Sequence, residues 1–240
     1  MASDPDDFPS RNQINKAGKL LREVVAGRVE HVDPVAVQQA IEVVTQFREA
    51  HSYPMTKVRN GLASMVATEG IDAAVSQRHK RVPRIVRKLI RMHGTALVRL
   101  EDIGGCRVVV ANPGDMDRLC RRIRKNWSGD FARSERDYVE APKAMGYRAH
   151  HFVVRRDARA IEVQVRTVGQ QRWADAVESI DARLKLNLKD ETGPDSLMEN
   201  FKIAGEVIFR QEWGLEIPEE LINEIVASNE LVIREGYYTG

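Results

Sequence analysis

The sequence predicts an α+β fold: a small mixed β-sheet flanked by helices, with further helical parts before and after it. Three observations carry this. The first 70 residues repeat apolar side chains at three-and-four spacing; three short runs between residues 106 and 167 are β-branched or alternating; helical periodicity returns from Gly169. These features place a frayed tail at 1–10, a helical part at 11–70, a mixed core at 71–188 and a helical C-terminal part at 189–240.

Ile14, Ala17, Leu20, Leu21, Val24 and Val25 make the stripe of a first helix, closed by Gly27. Asp33 followed by Pro34 is the favoured cap-then-proline start of a second, with Val37, Ala40, Ile41, Val44 and Phe47 inward. Tyr53-Pro54 reads as a break, and a third helix covers 56–68 before Gly70. Pro83 starts a helix with Ile85, Leu89 and Met92 on one face, while Arg84, Arg87, Lys88 and Arg91 project elsewhere. Residues 106–111, CRVVVA, read as a buried strand bounded by Asn112-Pro113-Gly114. A helix over 115–127 turns Met116, Leu119, Cys120 and Ile123 inward. Strands follow at 150–155 and 160–167. In the second, Ile161, Val163 and Val165 alternate with Glu162, Gln164 and Arg166, so the three polar side chains share one face. Helices then occupy 169–187, 195–213 and 218–228, with 189–194 as a linker.

At 240 residues the chain can bury a sizeable core, and 42% hydrophobic with 30% charged residues excludes a disordered or fibrous class. No apolar run approaches the ~20 residues of a membrane span, and the acidic start MASDPDDFPS lacks the pattern of a secretion signal, so a cytoplasmic protein without membrane contact is expected. Cys106 and Cys120 lie outside any zinc-type spacing and read as reduced core thiols. The net charge of +2 conceals a local bias. Between Arg78 and Arg107, nine Lys/Arg face two acids, Glu101 and Asp102; this local +7 leaves −5 for the rest. Such a run is either a solvated face or a seat for phosphates.

Two acids flank predicted strands: Asp102 before Ile103-Gly104-Gly105, and Glu162 on the polar face shared with Gln164 and Arg166. Either one alone reads as a surface salt bridge; together, beside concentrated cations, they form an oxygen site suited to magnesium, which takes one or two carboxylates plus waters and substrate phosphates. The stretch DYVEAPKAMGYR (137–148) reads as an ordered loop offering an aromatic face and a cation, able to stack a base and meet a phosphate. It could equally be a hairpin with a core tyrosine. His150 and His151 are adjacent on a strand and point to opposite faces, so they cannot easily chelate one ion.

The blocks RHKRVPRIVRKLIR (78–91), LEDIGGCRVVV (100–110), DYVEAPKAMGYRAHH (137–151) and IEVQVRTVGQQRWADAVE (161–178) together resemble the synthetase domain of the RelA/SpoT family, over about residues 12–213. The resemblance implies a nucleotidyltransferase-like domain that transfers pyrophosphate from ATP to a ribose 3′-hydroxyl. It further implies that Arg78, Lys80 and Lys88 hold the ATP phosphates with Arg107 close by, and that Asp102 ligates magnesium. Glu162 would position or activate the attacking hydroxyl and help with the metal. Tyr147 would stack the acceptor, with Lys143, Arg148, His151, Gln164 and Arg166 around it. The chain departs from the family pattern at Ala149-His150-His151 and at Asp175-Ala176-Val177-Glu178, on the acceptor side, and at Arg84; it also lacks a histidine-aspartate hydrolase module. With NQINKAG (12–18) and AHSYP (50–54), these departures look more like the toxic small synthetases that modify the 3′ CCA end of tRNA, which makes tRNA the expected acceptor. Alarmone synthesis on GTP or GDP is the alternative, and a catalytically silent RNA-binding module is a second. The apolar stripe Leu221, Ile222, Ile225 and Val226 could bind an antitoxin or a second subunit, or pack on its own domain.

Overall fold

The computed structural model describes residues 8–131, 135–188 and 192–238. Residues 1–7 of the expected tail and 189–191 of the expected linker lie outside the described residues. Helix α1 (Arg11–Val25) begins at a capping box, in which the Ser10 side chain accepts from the Gln13 amide and the Gln13 side chain accepts from the Ser10 amide. Asp33 caps α2 (Pro34–Glu49) through the Val35 amide. Helix α3 (Ser52–Thr68) starts four residues before the sequence suggests. Pro54 opens this helix and does not break it, because amides of the first turn have no intrahelical partner to lose.

The three N-terminal helices do not form one layer. Ile14, Leu21, Val44 and Phe47 of α1 and α2 bury against Ile85, Val86 and Leu89 of α4 (Val82–Arg91). In contrast, Val58, Leu62 and Met65 of α3 join the core of the sheet.

That sheet has five strands: β1 (Ala73–His79), β2 (Gly104–Val110), β3 (Arg136–Asp137), β4 (His150–Arg156) and β5 (Arg159–Thr167), in the order β1-β2-β5-β4-β3. Only β2 and β5 run parallel; the other neighbours are antiparallel. One face, with Cys106, Val108, Phe152, Val154, Val163 and Val165, packs under α3 and α5 (Pro113–Trp127). The opposite face is polar and carries the site. It lies beside α4 and α6 (Val168–Leu184), and α6 starts at a capping box of Thr167 and Gln170.

Helices α7 (Asp195–Glu212) and α8 (Glu219–Arg234) close a third apolar cluster, with Leu197, Phe201 and Val232 against Trp173, Val177 and Ile180. Ile222 and Val226 of the C-terminal stripe point outward. Among the described residues no helix is long and apolar enough to cross a membrane. Cys106 and Cys120 are buried free thiols.

Candidate active site

The polar face is ordered by strand register. In β5 the alternation sends Glu162, Gln164 and Arg166 to the same side. Parallel pairing sets Gly105 opposite Glu162 and Arg107 opposite Gln164; antiparallel pairing sets His151 on the other flank of Gln164 and Arg78 opposite Gly105. Four strands thereby deliver Arg78, Arg107, Gln164, Glu162 and His151 to one surface.

At one end, Asp102 Oδ2 accepts from both Lys80 Nζ, at 2.5 Å, and Lys88 Nζ, at 2.7 Å. Burial opposes its ionisation, but the two ammonium groups prevail and hold its carboxyl below the usual range. Glu162 accepts from Gln164 Nε2 at 2.7 Å and from His151 Nδ1 at 3.0 Å. Burial would raise its pKa; the hydrogen bond from His151, the Gln164 amide and the charge of Lys88 bring it down to about 2. Asp102 and Glu162 lie close enough to repel one another, and Lys88 acts on both. Asp102 Oδ1 is buried and has no hydrogen-bond partner among the described residues. An unpartnered carboxylate oxygen suits magnesium, which keeps waters and takes substrate oxygens; among the described residues no group of three or more His, Cys, Asp or Glu could hold a metal alone.

Next to the carboxylates the guanidinium groups crowd. Burial and the neighbouring charges of Arg166 and Arg78 push the pKa of Arg107 down, and the Nε atoms of both Arg107 and Arg166 are buried without a hydrogen-bond partner among the described residues. Three guanidinium groups acting on one another, with Glu178 as the acid that acts on Arg107, favour an incoming anion. At the rim, Arg78 lies 3.8 Å from Glu178 and Arg84 lies 3.5 Å from Asp181, while Arg87 donates to Asn187 at 3.2 Å.

The other end is aromatic. The Tyr147 hydroxyl lies 2.7 Å from His151 Nε2 and accepts from Arg166 at 2.9 Å. Since ionised Glu162 can only accept and Arg166 can only donate, all of these groups are satisfied when His151 carries its proton on Nδ1 and Tyr147 donates to Nε2. Burial raises the pKa of Tyr147. Lys143 Nζ sits 4.1 Å from the centre of the Tyr138 ring and 5.3 Å from that of Tyr147, and Trp173 meets Tyr147 edge-on. Arg166 is further anchored by Gln171 Oε1 at 3.0 Å, and the Gln171 amide donates to Asp175 at 2.6 Å.

One expectation changes. Arg148 does not face the aromatic notch. As the immediate neighbour of Tyr147 it points the other way, donating to the Val139 carbonyl and, at 2.6 Å, to Glu206 of α7, with its guanidinium over Phe209. Of the two histidines, His151 faces Glu162, whereas His150 turns to the opposite side and meets Glu135 and Asp137. The structure brings together Asp102, Glu162, Lys80, Lys88, Arg107, Gln164, Arg166, His151, Tyr147 and Lys143, with Arg78 at the rim. Sequence reasoning missed Tyr138, Gln171 and Trp173. The spacing of Gln171 and Asp175, one helical turn apart after the strand, was the available signal for the pair that holds Arg166.

Residues 77–186 match the family model for the region found in RelA / SpoT proteins. The chain is 29% identical over 141 residues to "GTP pyrophosphokinase rsh" of Brucella ovis, covering 57% of this chain and 18% of that protein. It is 33% identical over 115 residues to "Probable GTP diphosphokinase RSH3, chloroplastic" of Arabidopsis thaliana, covering 47% and 16%. The chain thus spans less than a fifth of the length of these two relatives. Its fold is that of the small alarmone synthetase 1 of Bacillus subtilis solved with its product pppGpp, at a TM-score of 0.56 and 21% identity, covering 76% of this chain and 97% of that one.

Proposed function

Because residues 77–186 match the model of the region found in RelA / SpoT proteins, we propose that the chain is an ATP-dependent pyrophosphokinase acting on the ribose 3′-hydroxyl of a guanine nucleotide. The observation that carries this reading is the pair of ionised carboxylates, Asp102 held by Lys80 and Lys88 and Glu162 held by His151 and Gln164, on the polar side of the sheet with Arg107 and Arg166, whose buried Nε atoms lack partners among the described residues. Two relatives named for GTP pyrophosphorylation support the acceptor. The expectation of a tRNA 3′ end gains no support from the comparisons, and neither does an antitoxin partner; the guanine nucleotide takes the place of tRNA as acceptor.

In this reading the acceptor 3′-oxygen bonds to the β-phosphorus of ATP, the bond from that phosphorus to the oxygen bridging the α-phosphate breaks, and AMP leaves. Such chemistry asks the protein mainly for alignment and charge neutralisation. Lys80, Lys88, Arg107 and Arg78 neutralise the phosphates. Glu162 accepts the hydrogen bond of the attacking hydroxyl and takes its proton; His151 and Gln164 keep that carboxylate in place. Magnesium, held by Asp102 and Glu162, would add positive charge at the transferring group. Tyr147 offers a ring face to the base, with Lys143 beside it.

Incubation with γ-labelled ATP and GDP, GTP or bulk tRNA tests the proposal. Label should move to the guanine nucleotides with release of an equal amount of AMP, and Glu162→Gln should abolish it. Label on tRNA would overturn the acceptor assignment. Bound ATP with no label in any acceptor would leave a silent module and overturn the enzyme reading.

A further inference from the structure

Resting on that reading, we infer that α7 is the clamp that sets the acceptor side of the site, with Gly205 and Glu206 as positioning residues. The acceptor loop turns sharply just before Tyr147: Met145 and Gly146 both have positive φ, 61° and 81°. Two consecutive residues in this region are costly for any side chain but glycine, so the turn persists only where its surroundings fix it. The surroundings here are α7. The Gly146 backbone lies against Phe201 and Lys202, such that a Cβ on Gly146 would sit 3.0 Å from the Lys202 carbonyl oxygen. A Cβ on Gly205 would lie 2.7 Å from the Gly146 carbonyl oxygen and 3.1 Å from its Cα. The obstructing atoms are backbone, so a methyl at 205 cannot be accommodated without moving the loop. The gap between loop and helix, lined by Gly146, Arg148, Trp173 and Gly205, is about 10 Å³, no more than one water.

The side chains lock the same contact. Arg148, one residue beyond Tyr147, is buried, and Glu206 Oε2 accepts from it at 2.6 Å while Glu206 Oε1 accepts from Arg210 at 2.7 Å. Met145 enters the apolar cluster with Phe201 and Leu197. Trp173, which touches the Tyr147 ring, donates to the Phe201 carbonyl at 2.8 Å. Nearly two turns further along α7, Glu212 accepts from Thr167 Oγ1 at 2.5 Å and from the Gly169 amide at 2.7 Å, gripping the junction of β5 and α6 just after Arg166. Helix α7 therefore holds both walls of the aromatic notch and, among the described contacts, none of the Asp102 end. Gly205 and Glu206 touch neither Tyr147 nor the carboxylates in any described contact; they act through Gly146 and Arg148.

The test compares wild type with Gly205→Ala, Glu206→Ala and Glu206→Gln in the full chain. For Gly205→Ala and Glu206→Ala the KM for the guanine nucleotide should rise about tenfold or more, with kcat and the Kd of a fluorescent ATP analogue within about twofold of wild type; Glu206→Gln, which keeps an acceptor oxygen for Arg148, should recover most of the loss. In parallel, trypsin cleavage after the exposed Lys143 should accelerate at least fivefold in Gly205→Ala under conditions where near-ultraviolet circular dichroism shows the fold retained. Unchanged acceptor KM together with unchanged cleavage would overturn the clamp, as would equal losses in acceptor and ATP binding. If the wild type labels no guanine nucleotide, the enzyme reading fails, and the cleavage rate alone decides whether α7 fixes the loop.

Discussion

His151 Nδ1 lies 3.0 Å from Glu162 Oε1, while the opposite nitrogen of the same ring meets the Tyr147 hydroxyl at 2.7 Å. One imidazole thus spans the distance between the proposed base and the proposed stacking ring. Replacing it with alanine removes a hydrogen bond to a charged group, worth about 1.5–3 kcal/mol. His151→Ala should therefore lower kcat roughly 10- to 100-fold in the label-transfer assay, with ATP binding retained. Full kcat in this variant would exclude His151 from supporting Glu162.

Asp102→Asn separates two roles that the wild type combines. The carboxylate currently engages both Lys80 and Lys88. Its neutral counterpart keeps an acceptor oxygen but no negative charge, leaving the charge of two ammonium groups uncompensated and available to phosphate. Transfer should fall at least 100-fold while ATP binding, measured by titration, holds or tightens. Weaker ATP binding in proportion to lost transfer would show that Asp102 organises the lysines more than it serves chemistry.

Tyr147 can be dissected by atoms. Tyr147→Phe keeps the ring but removes the oxygen that meets His151 and Arg166, so kcat should drop more than acceptor KM rises. Tyr147→Ala removes the stacking face, worth about 1–3 kcal/mol for a base, and acceptor KM should rise roughly 5- to 100-fold. Identical kinetic profiles for the two variants would contradict the separation.

His51 predicts a pH-dependent stability away from the site. It is buried, with its Nδ1 donating to the Phe47 carbonyl, and burial, reinforced by the charges of Arg159 and His79, lowers its pKa from 6.5 to about 4. The unfolded chain gains this proton as pH falls through 6.5, whereas the folded chain resists until about 4. The contribution of His51 is fully present above pH 6.5 and is lost on acidification towards 4, to about 3 kcal/mol. Denaturant unfolding at pH 7.5, 5.5 and 4.5 should show a smaller loss in His51→Gln than in wild type; equal losses would refute the assignment.

The legible parts of this protein are those governed by short-range rules. The alternation in 160–167 placed Glu162, Gln164 and Arg166 on one face, and the register of β2, β4 and β5 shows them there. Helix starts at Asp33-Pro34 and near Pro83 followed from local capping and proline chemistry. Strand β1 was not legible: AAVSQRH is an edge strand, mostly exposed, with no apolar alternation to mark it. The two-residue β3 is too short to carry any pattern. Arg148 was misplaced because sequence adjacency to Tyr147 suggested a shared role, whereas its partner Glu206 lies 58 positions away. No local rule reaches that far.

The parallel pairing of β2 with β5 has a temporal consequence. Strand β5 lies between β2 and β4, so the sheet cannot be completed until the last of its strands has left the ribosome, and the stretch separating Gly105 from Glu162 must already have looped out. Contacts so distant in sequence close slowly, since the entropy of the loop must be overcome before pairing rewards it. A nascent chain shorter than 162 residues therefore carries Asp102 and its two lysines but neither Glu162 nor Arg166, and in the proposed reading the order of synthesis withholds the second acid until the sheet is nearly complete.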